Sequence, residues 1–256
     1  MLTLADSIEA ICGMRPDWAR WPIQAAYIDS RQVTPHSIFF ALPGENNDGH
    51  DFVAHAFKMG ADFAIIQKDI PSHLLSDSGF EFPVIDLRKH CVVEDIALVK
   101  PPLCIRVENC LEALQEIARF WRRKVNLRVI GITGSVGKST TKELAANVLS
   151  MRYRTLKNAG NLNNEIGLPL TLLGLDSKHE CAVLEMGFYV PGEISFLCEI
   201  AQPQVGVITN IGTVHAERAG SQAAIALGKS ELVQALPPAP VGTAILNYDD
   251  PWVRDM

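Results

Sequence analysis

The residues of this chain best suited to chemistry lie in Gly131-Ile-Thr-Gly-Ser-Val-Gly-Lys-Ser-Thr140. Glycines at 134 and 137 let backbone N–H groups turn inward around phosphate oxygens, and the positive end of a following helix adds to that field. Lys138 would reach the outer phosphates of a nucleotide such as ATP, and the Ser139 hydroxyl would ligate its Mg²⁺. Gly134, Ser135, Gly137, Lys138, Ser139 and Thr140 are therefore the candidate cofactor-binding residues. The general Walker A pattern has a glycine five residues before Gly137, where Ile132 stands; the form present is the shorter Thr-Gly-x-x-Gly-Lys-Ser. A glycine-rich turn without a ligand is the alternative. Against it, buried strand, turn, lysine, hydroxyl and helix coincide.

Glu185 closes the apolar run Cys181-Ala-Val-Leu-Glu185. In an open α/β sheet the ligand crevice lies at the carboxyl ends of the strands. A carboxylate there can hold Mg²⁺ beside a phosphate, although by itself Glu185 would read as a surface residue. Thr209-Asn-Ile-Gly-Thr-Val-His215 likewise follows a strand, where His215 alone is as well explained by packing or by exposure to solvent. Lys229 lies in a helical stretch, where a solvated lysine is the ordinary expectation. Near the N-terminus, Asp29-Ser30-Arg31 and Asn46-Asn47-Asp48-Gly49-His50-Asp51 are polar clusters bordering strands. They suit a polar ligand and equally suit turns.

The elements that must position these residues can be read from apolar periodicity. Residues 37–42 read as a strand, 43–49 as a loop, 52–59 as a helix with Phe52, Ala56 and Met59 on one face, and 63–66 as a strand. Asn109 is placed to cap a helix running through Trp121, with Arg119, Arg122, Arg123 and Lys124 at its favourable end. Strands over 127–132, 181–185, 205–209 and 242–246, and helices over 140–151 and 222–236, then alternate in the manner of a mostly parallel sheet. The expected class is α/β: a small N-terminal α/β domain over 1–124, then a phosphate-loop domain over 125–256. The last residues follow a strand directly, so a truncated central domain is expected.

The composition, 48% hydrophobic and 20% charged with net charge -6, does not favour a nucleic-acid surface. Six cysteines without a CxxC pair suggest small buried hydrophobes in a reducing compartment. No apolar run is long enough for a membrane span, so the expectation is a cytoplasmic protein; a monomer is expected as well.

Several segments together resemble the Mur ligases of bacterial peptidoglycan synthesis. They are the phosphate loop through Thr141-Lys142-Glu143, Gly160-Asn-Leu-Asn-Asn-Glu-Ile-Gly-Leu-Pro169, Leu184-Glu-Met-Gly187, Pro191-Gly-Glu193 and Ile208-Thr-Asn-Ile-Gly-Thr-Val-His215. In the first domain, Asp29-Ser-Arg31, Ser37-Ile-Phe-Phe-Ala-Leu-Pro-Gly44 and Asp48-Gly-His-Asp-Phe52 match as well. Ser139 in place of the more usual threonine, and Thr213 where proline is common, are the local departures. Among family members the resemblance is strongest to those that add D-alanyl-D-alanine to UDP-N-acetylmuramoyl-tripeptide.

That resemblance implies that Ser30, Arg31, Asn46, Asp48 and His50 serve the uridine-nucleotide substrate, with Asn163, Asn164 and Glu165 facing its muramoyl-peptide. It places Asn210, Asn247 and Asp250 near ATP, and Ser139, Glu185, His215 and Lys229 at the metal, with Lys138, His215 and Lys229 in the catalytic set. Lys229 matches a lysine that is often carbamylated, which would turn a neutral amine into an anionic metal ligand. The implied reaction makes an acyl phosphate from the peptide carboxylate and ATP, then an amide. The family's third, acceptor-binding domain has no counterpart in the sequence. A fragment inactive by itself is therefore expected, with a nucleotide-binding or regulatory remnant as the alternative.

Overall fold

The computed structural model describes residues 1–45, 47–70, 82–88, 100–213 and 220–256. Asn46 and His215, both singled out above, lie outside them, as does Cys91. The chain divides into two compact units, Met1–Trp121 and Arg122–Met256.

In the first unit, α1 (Leu4–Cys12) begins at a capping box in which Thr3 and Asp6 satisfy each other's backbone amides. Strands β1 (Ala25–Tyr27), β2 (Ser37–Phe40), β3 (Ala61–Ile66), β4 (Val84–Asp86) and β5 (Leu103–Arg106) form a parallel sheet in the order β1-β2-β3-β5-β4. All four residues of β2 are buried, as a strand covered on both faces requires. Between β2 and β3 a 3-10 turn (Gly49–Phe52) leads into α2 (Val53–Lys58). Here the expected apolar face is corrected. Ala56 is buried, but Phe52 and Met59 are 41% and 42% exposed, and Val53 takes the inward position. The helix begins one residue after Phe52, so the phase of its buried stripe is set by Val53 and Ala56 packing on β3.

The helix α3 (Cys110–Lys124) is capped by Asn109, whose Oδ1 accepts from Leu111 N at 2.8 Å and Glu112 N at 3.2 Å. Arg122, the first residue of the second unit, is buried and donates to the carbonyls of Ala201 (2.8 Å) and Val125 (3.0 Å) within that unit.

The second unit holds β6 (Arg128–Thr133), α4 (Lys138–Ser150), β7 (Thr155–Lys157), α5 (Gly167–Leu173), β8 (Cys181–Glu185), α6 (Glu193–Ala201), β9 (Val205–Ile208), α7 (Gln222–Gln234), β10 (Thr243–Leu246) and α8 (Pro251–Arg254). Its sheet is parallel, in the order β10-β9-β6-β8-β7. The strand carrying the glycine loop is thus central, with the carboxyl ends of β8 and β9 on either side. The helix after the loop starts at Lys138, two residues earlier than its apolar pattern suggests. Cys104, Cys110, Cys181 and Cys198 are buried, and burial pushes the thiols of Cys104, Cys110 and Cys198 up to about 12. No helix among the described residues is long and apolar enough to cross a membrane.

Candidate active site

Three strand ends build the site in the second unit. From β6 the chain enters the loop 134–137 with Gly134 at φ 143° and Gly137 at φ 87°, both in the region that favours glycine. A Cβ at Gly134 would overlap the Thr209 hydroxyl, so the loop and the end of β9 approach as closely as their atoms allow. The segment after β9 braces the loop. Asn210 accepts from Val136 N at 2.9 Å and donates to Val136 O at 3.0 Å, while its own carbonyl accepts from Ser135 N at 2.9 Å. Ser135 Oγ accepts from Gly212 N at 2.9 Å. Asn210 and Ser135, expected at the nucleotide, here hold the phosphate loop in shape.

A further layer holds that brace. Asn247 donates to Thr209 O at 2.9 Å, and Asp250 Oδ2 accepts from Ile211 N at 2.9 Å. The other Asp250 oxygen accepts from Trp252 N and Val253 N and caps α8.

Within the loop, Lys138 folds back so that its ammonium donates to Gly134 O at 2.8 Å. Burial lowers its pKa and the charge of Glu185 opposes that shift. Ser139 donates to Glu185 Oε2 at 2.8 Å, and Thr140 is exposed one residue further along α4. Glu185 is 3% exposed, and its Oε1 accepts from Asn163 Nδ2 at 2.8 Å. A hydroxyl and a carboxylate at hydrogen-bond distance are hard oxygen donors of the kind Mg²⁺ selects, so this pair fits that ion. Among the described residues no group of three or more His, Cys, Asp or Glu is arranged to hold a metal. A cation here would therefore depend on further oxygen atoms, as phosphates supply.

Lys229 is 2% exposed, with its ammonium 4.6 Å from the centre of the Phe188 ring. Burial, with a smaller contribution from the charge of Lys138, brings its pKa down to about 7. The ordinary expectation of a solvated lysine is overturned, because α7 turns this position inward against the segment after β8. Gly228 beside it admits the same ring: a Cβ there would overlap Phe188.

Asn164 Oδ1 accepts from Gly167 N at 2.9 Å ahead of α5, and Gly187 N donates to Asn163 O at 2.8 Å. A cavity of about 220 Å³ opens beside these residues, lined by Asn164, Glu165, Tyr189, Glu193 and Phe196 among others. Two residues outside the candidate set support the site from behind. Asn158, wholly buried, pairs with the backbone of Glu185 in both directions, at 2.9 and 3.0 Å. Lys142, 1% exposed, donates to Asn158 O at 2.8 Å. Its position one turn after Lys138 was the available signal; Asn158 offered none.

In the first unit, a cavity of about 590 Å³ is lined by Ile28, Asp29, Ser30, Arg31, Asn47, Phe52 and His55. Ser30 is buried, its hydroxyl 3.0 Å from His55 Nδ1. Arg31 is exposed and forks onto Asp29 at 2.9 and 2.7 Å, holding that carboxyl down at about 2. His50 faces inward. Its Nε2 accepts from Gln67 N at 3.0 Å, so its Nδ1 carries the proton and donates to Asp48 at 2.6 Å. Asp48 also pairs with Lys68. Asp48 and His50 thus shape the loop, and Ser30 and Arg31 border the cavity.

A parallel sheet with a glycine loop on its central strand, a lysine and hydroxyl opening the next helix, and an acid on the neighbouring strand defines an α/β protein of the phosphate-loop class. Residues 132–256 match the Mur ligase middle domain, and residues 22–122 match the catalytic domain of the Mur ligase family. The chain belongs to the Mur ligase family and carries its N-terminal and middle domains.

Similar curated proteins are the UDP-N-acetylmuramoyl-tripeptide--D-alanyl-D-alanine ligases of Synechocystis sp. and Bacillus subtilis. The first is 40% identical, over 87% of this chain and 43% of the relative. The second is 36% identical, over 94% and 47%. MurF from Acinetobacter baumannii superposes with a TM-score of 0.76 at 30% identity, covering 98% of this chain and 50% of that one. MurF ligase from Thermotoga maritima, in complex with ADP, gives a TM-score of 0.70 at 31% identity, over 91% and 47%. The chain spans about half the length of the curated relatives it matches.

Proposed function

We propose that this chain is the nucleotide- and substrate-binding part of an ATP-dependent ligase that joins D-alanyl-D-alanine to UDP-N-acetylmuramoyl-tripeptide in peptidoglycan precursor synthesis. The observation that carries this reading is the Ser139–Glu185 pair, set beside Asn163 at the carboxyl end of the central sheet. It brings a phosphate-binding helix and the loop 161–165 to one place, as a reaction between ATP and a carboxylate needs. The resemblance to ligases named for this reaction supplies the substrates.

In this reading, residues 1–124 take the uridine nucleotide at the cavity bordered by Ser30 and Arg31, and residues 125–256 take ATP. A carboxylate oxygen of the tripeptide attacks the γ-phosphorus, the bond to ADP breaks, and an acyl phosphate forms. The amine of D-alanyl-D-alanine then attacks the acyl carbon, phosphate leaves, and the nitrogen loses a proton. Two anions must meet in the first step, and Lys138, released from Gly134 O onto the phosphates, offsets that charge. Ser139 and Glu185 would hold Mg²⁺, which neutralises phosphate charge when bound. The lowered pKa of Lys229 keeps much of it as a neutral amine near pH 7, the form that reacts with carbon dioxide to give a carbamate.

Calorimetric titration with Mg²⁺–ADP and with UDP-N-acetylmuramoyl-tripeptide tests this. Lys138→Ala is expected to weaken ADP more than about tenfold, the loss of a charged hydrogen bond. Ser30→Ala is expected to weaken the UDP-substrate about three- to tenfold and to leave ADP unchanged. Folded protein that binds neither ligand would remove the assignment.

A further inference from the structure

Lys142 is a fully buried ammonium whose contacts join two parts of the site. Its Nζ lies 2.8 Å from Asn158 O, 3.3 Å from Gly160 O, 3.4 Å from Glu143 Oε1 and 3.9 Å from Glu185 Oε2. Burying an ammonium is costly unless its hydrogen bonds are replaced, and an apolar side chain would fill the same space without that cost. The choice of lysine therefore calls for a reason in what it contacts. Its carrier, α4, is the helix that opens with Lys138 and Ser139, so Lys142 moves with the phosphate loop. Its carbonyl partners start the segment that runs through Asn163 to α5.

That segment is stapled to the end of β8. Asn158 pairs with the backbone of Glu185 and donates to Leu162 O at 2.8 Å. Asn163 holds the Glu185 carboxylate on one side and Gly187 N on the other. Ser139 and Lys142 thus approach the same oxygen, Glu185 Oε2, from one helix.

We propose that Lys142 is a positioning residue through which occupancy of the phosphate loop is transmitted to residues 158–165. The inference rests on the reading of the phosphate loop as a nucleotide site. Glu185 Oε2 faces both the Lys142 ammonium, at 3.9 Å, and the Ser139 hydroxyl, at 2.8 Å. A cation held by Glu185 beside the nucleotide would weaken that carboxylate's pull on the Lys142 ammonium. Lys142, already hydrogen-bonded to Asn158 O and Gly160 O, would then be held by those carbonyls with less competition from Glu185, and the segment would tighten. Nucleotide binding so orders the loop proposed to face the second substrate.

Amide hydrogen exchange with and without Mg²⁺–ADP tests this. In the unmodified chain, exchange over residues 158–165 is expected to slow about tenfold when ADP binds, within the usual range of coupling between sites. In Lys142→Met, calorimetry should show ADP still bound to within about tenfold, with that slowing lost; Lys142→Arg should recover part of it. If Lys142→Met does not fold, Lys142→Gln, which keeps a donor without the charge, is read by the same outcomes. Unchanged slowing in a folded variant, or none in the unmodified chain with ADP bound, overturns the role of Lys142 alone. Failure of the unmodified chain to bind ADP overturns the reading of the phosphate loop, and the coupling with it.

Discussion

The Ser139 hydroxyl donates to Glu185 Oε2 at 2.8 Å, joining the first turn of α4 to the last residue of β8. Both groups keep lone pairs free in that arrangement, so the pair could offer oxygen to a divalent cation without giving up its own hydrogen bond.

Glu185→Gln keeps the shape of the side chain and removes its charge. The Mg²⁺-dependent part of ADP affinity is expected to fall at least about tenfold, with affinity in chelator little changed. Ser139→Ala should lower the same increment less, by about fivefold. Calorimetry at several Mg²⁺ concentrations measures both, and an unaltered Mg²⁺ dependence in folded Glu185→Gln would remove this pair from the metal site.

Gly134→Ala forces a side chain into a left-handed position where its Cβ overlaps the Thr209 hydroxyl. Overpacking and backbone strain each cost about 1–3 kcal/mol, and the midpoint of urea unfolding should drop accordingly. Adding Thr209→Ala removes the overlapping oxygen and should recover part of the loss, the backbone strain remaining. A Gly134→Ala protein as stable as the parent would show that the loop and β9 are further apart than described.

Lys229 carries a pH signature. Its pKa lies at about 7 in the folded chain against an ordinary 10.5. Between those values the unfolded chain binds the proton that the folded chain has released, so this group makes stability rise with pH, by at most about 1.4 kcal/mol per pH unit. Below pH 7 its full penalty is present, and near 10.5 the penalty is gone. Lys229→Met should be more stable than the parent near neutrality, with the difference shrinking toward pH 10. Urea unfolding across that range is the measurement, and a difference independent of pH would show that Lys229 is not buried as a neutral amine.

Much of this was legible from local pattern. The phosphate loop could be read because glycine, lysine and hydroxyl must follow one another at the junction of a strand and a helix, and Asn109 because a cap acts within three residues. The parallel sheets could be expected because strands buried on both faces read as unbroken apolar runs, as in β8. Local pattern misled where phase depends on what covers a helix. Apolar spacing puts Phe52 on one face with Ala56 and Met59, yet Phe52 lines a cavity and Val53 takes the core.

The sequence by itself determined the chemistry on offer: which side chains can bind phosphate, carry a proton or ligate a cation, and which short stretches form strands. Tertiary structure decided which of them meet. It set Asn210 against Val136, Asn158 against Glu185 and Lys142 against both Asn158 and Glu185, and it turned Lys229 into the interior. Those pairings are separated widely along the chain and have no local periodicity to announce them. They arise because parallel strands with crossover helices deliver their carboxyl ends to one edge of a sheet. The burial that shifts the pKa of Lys229 exists only once that edge is assembled.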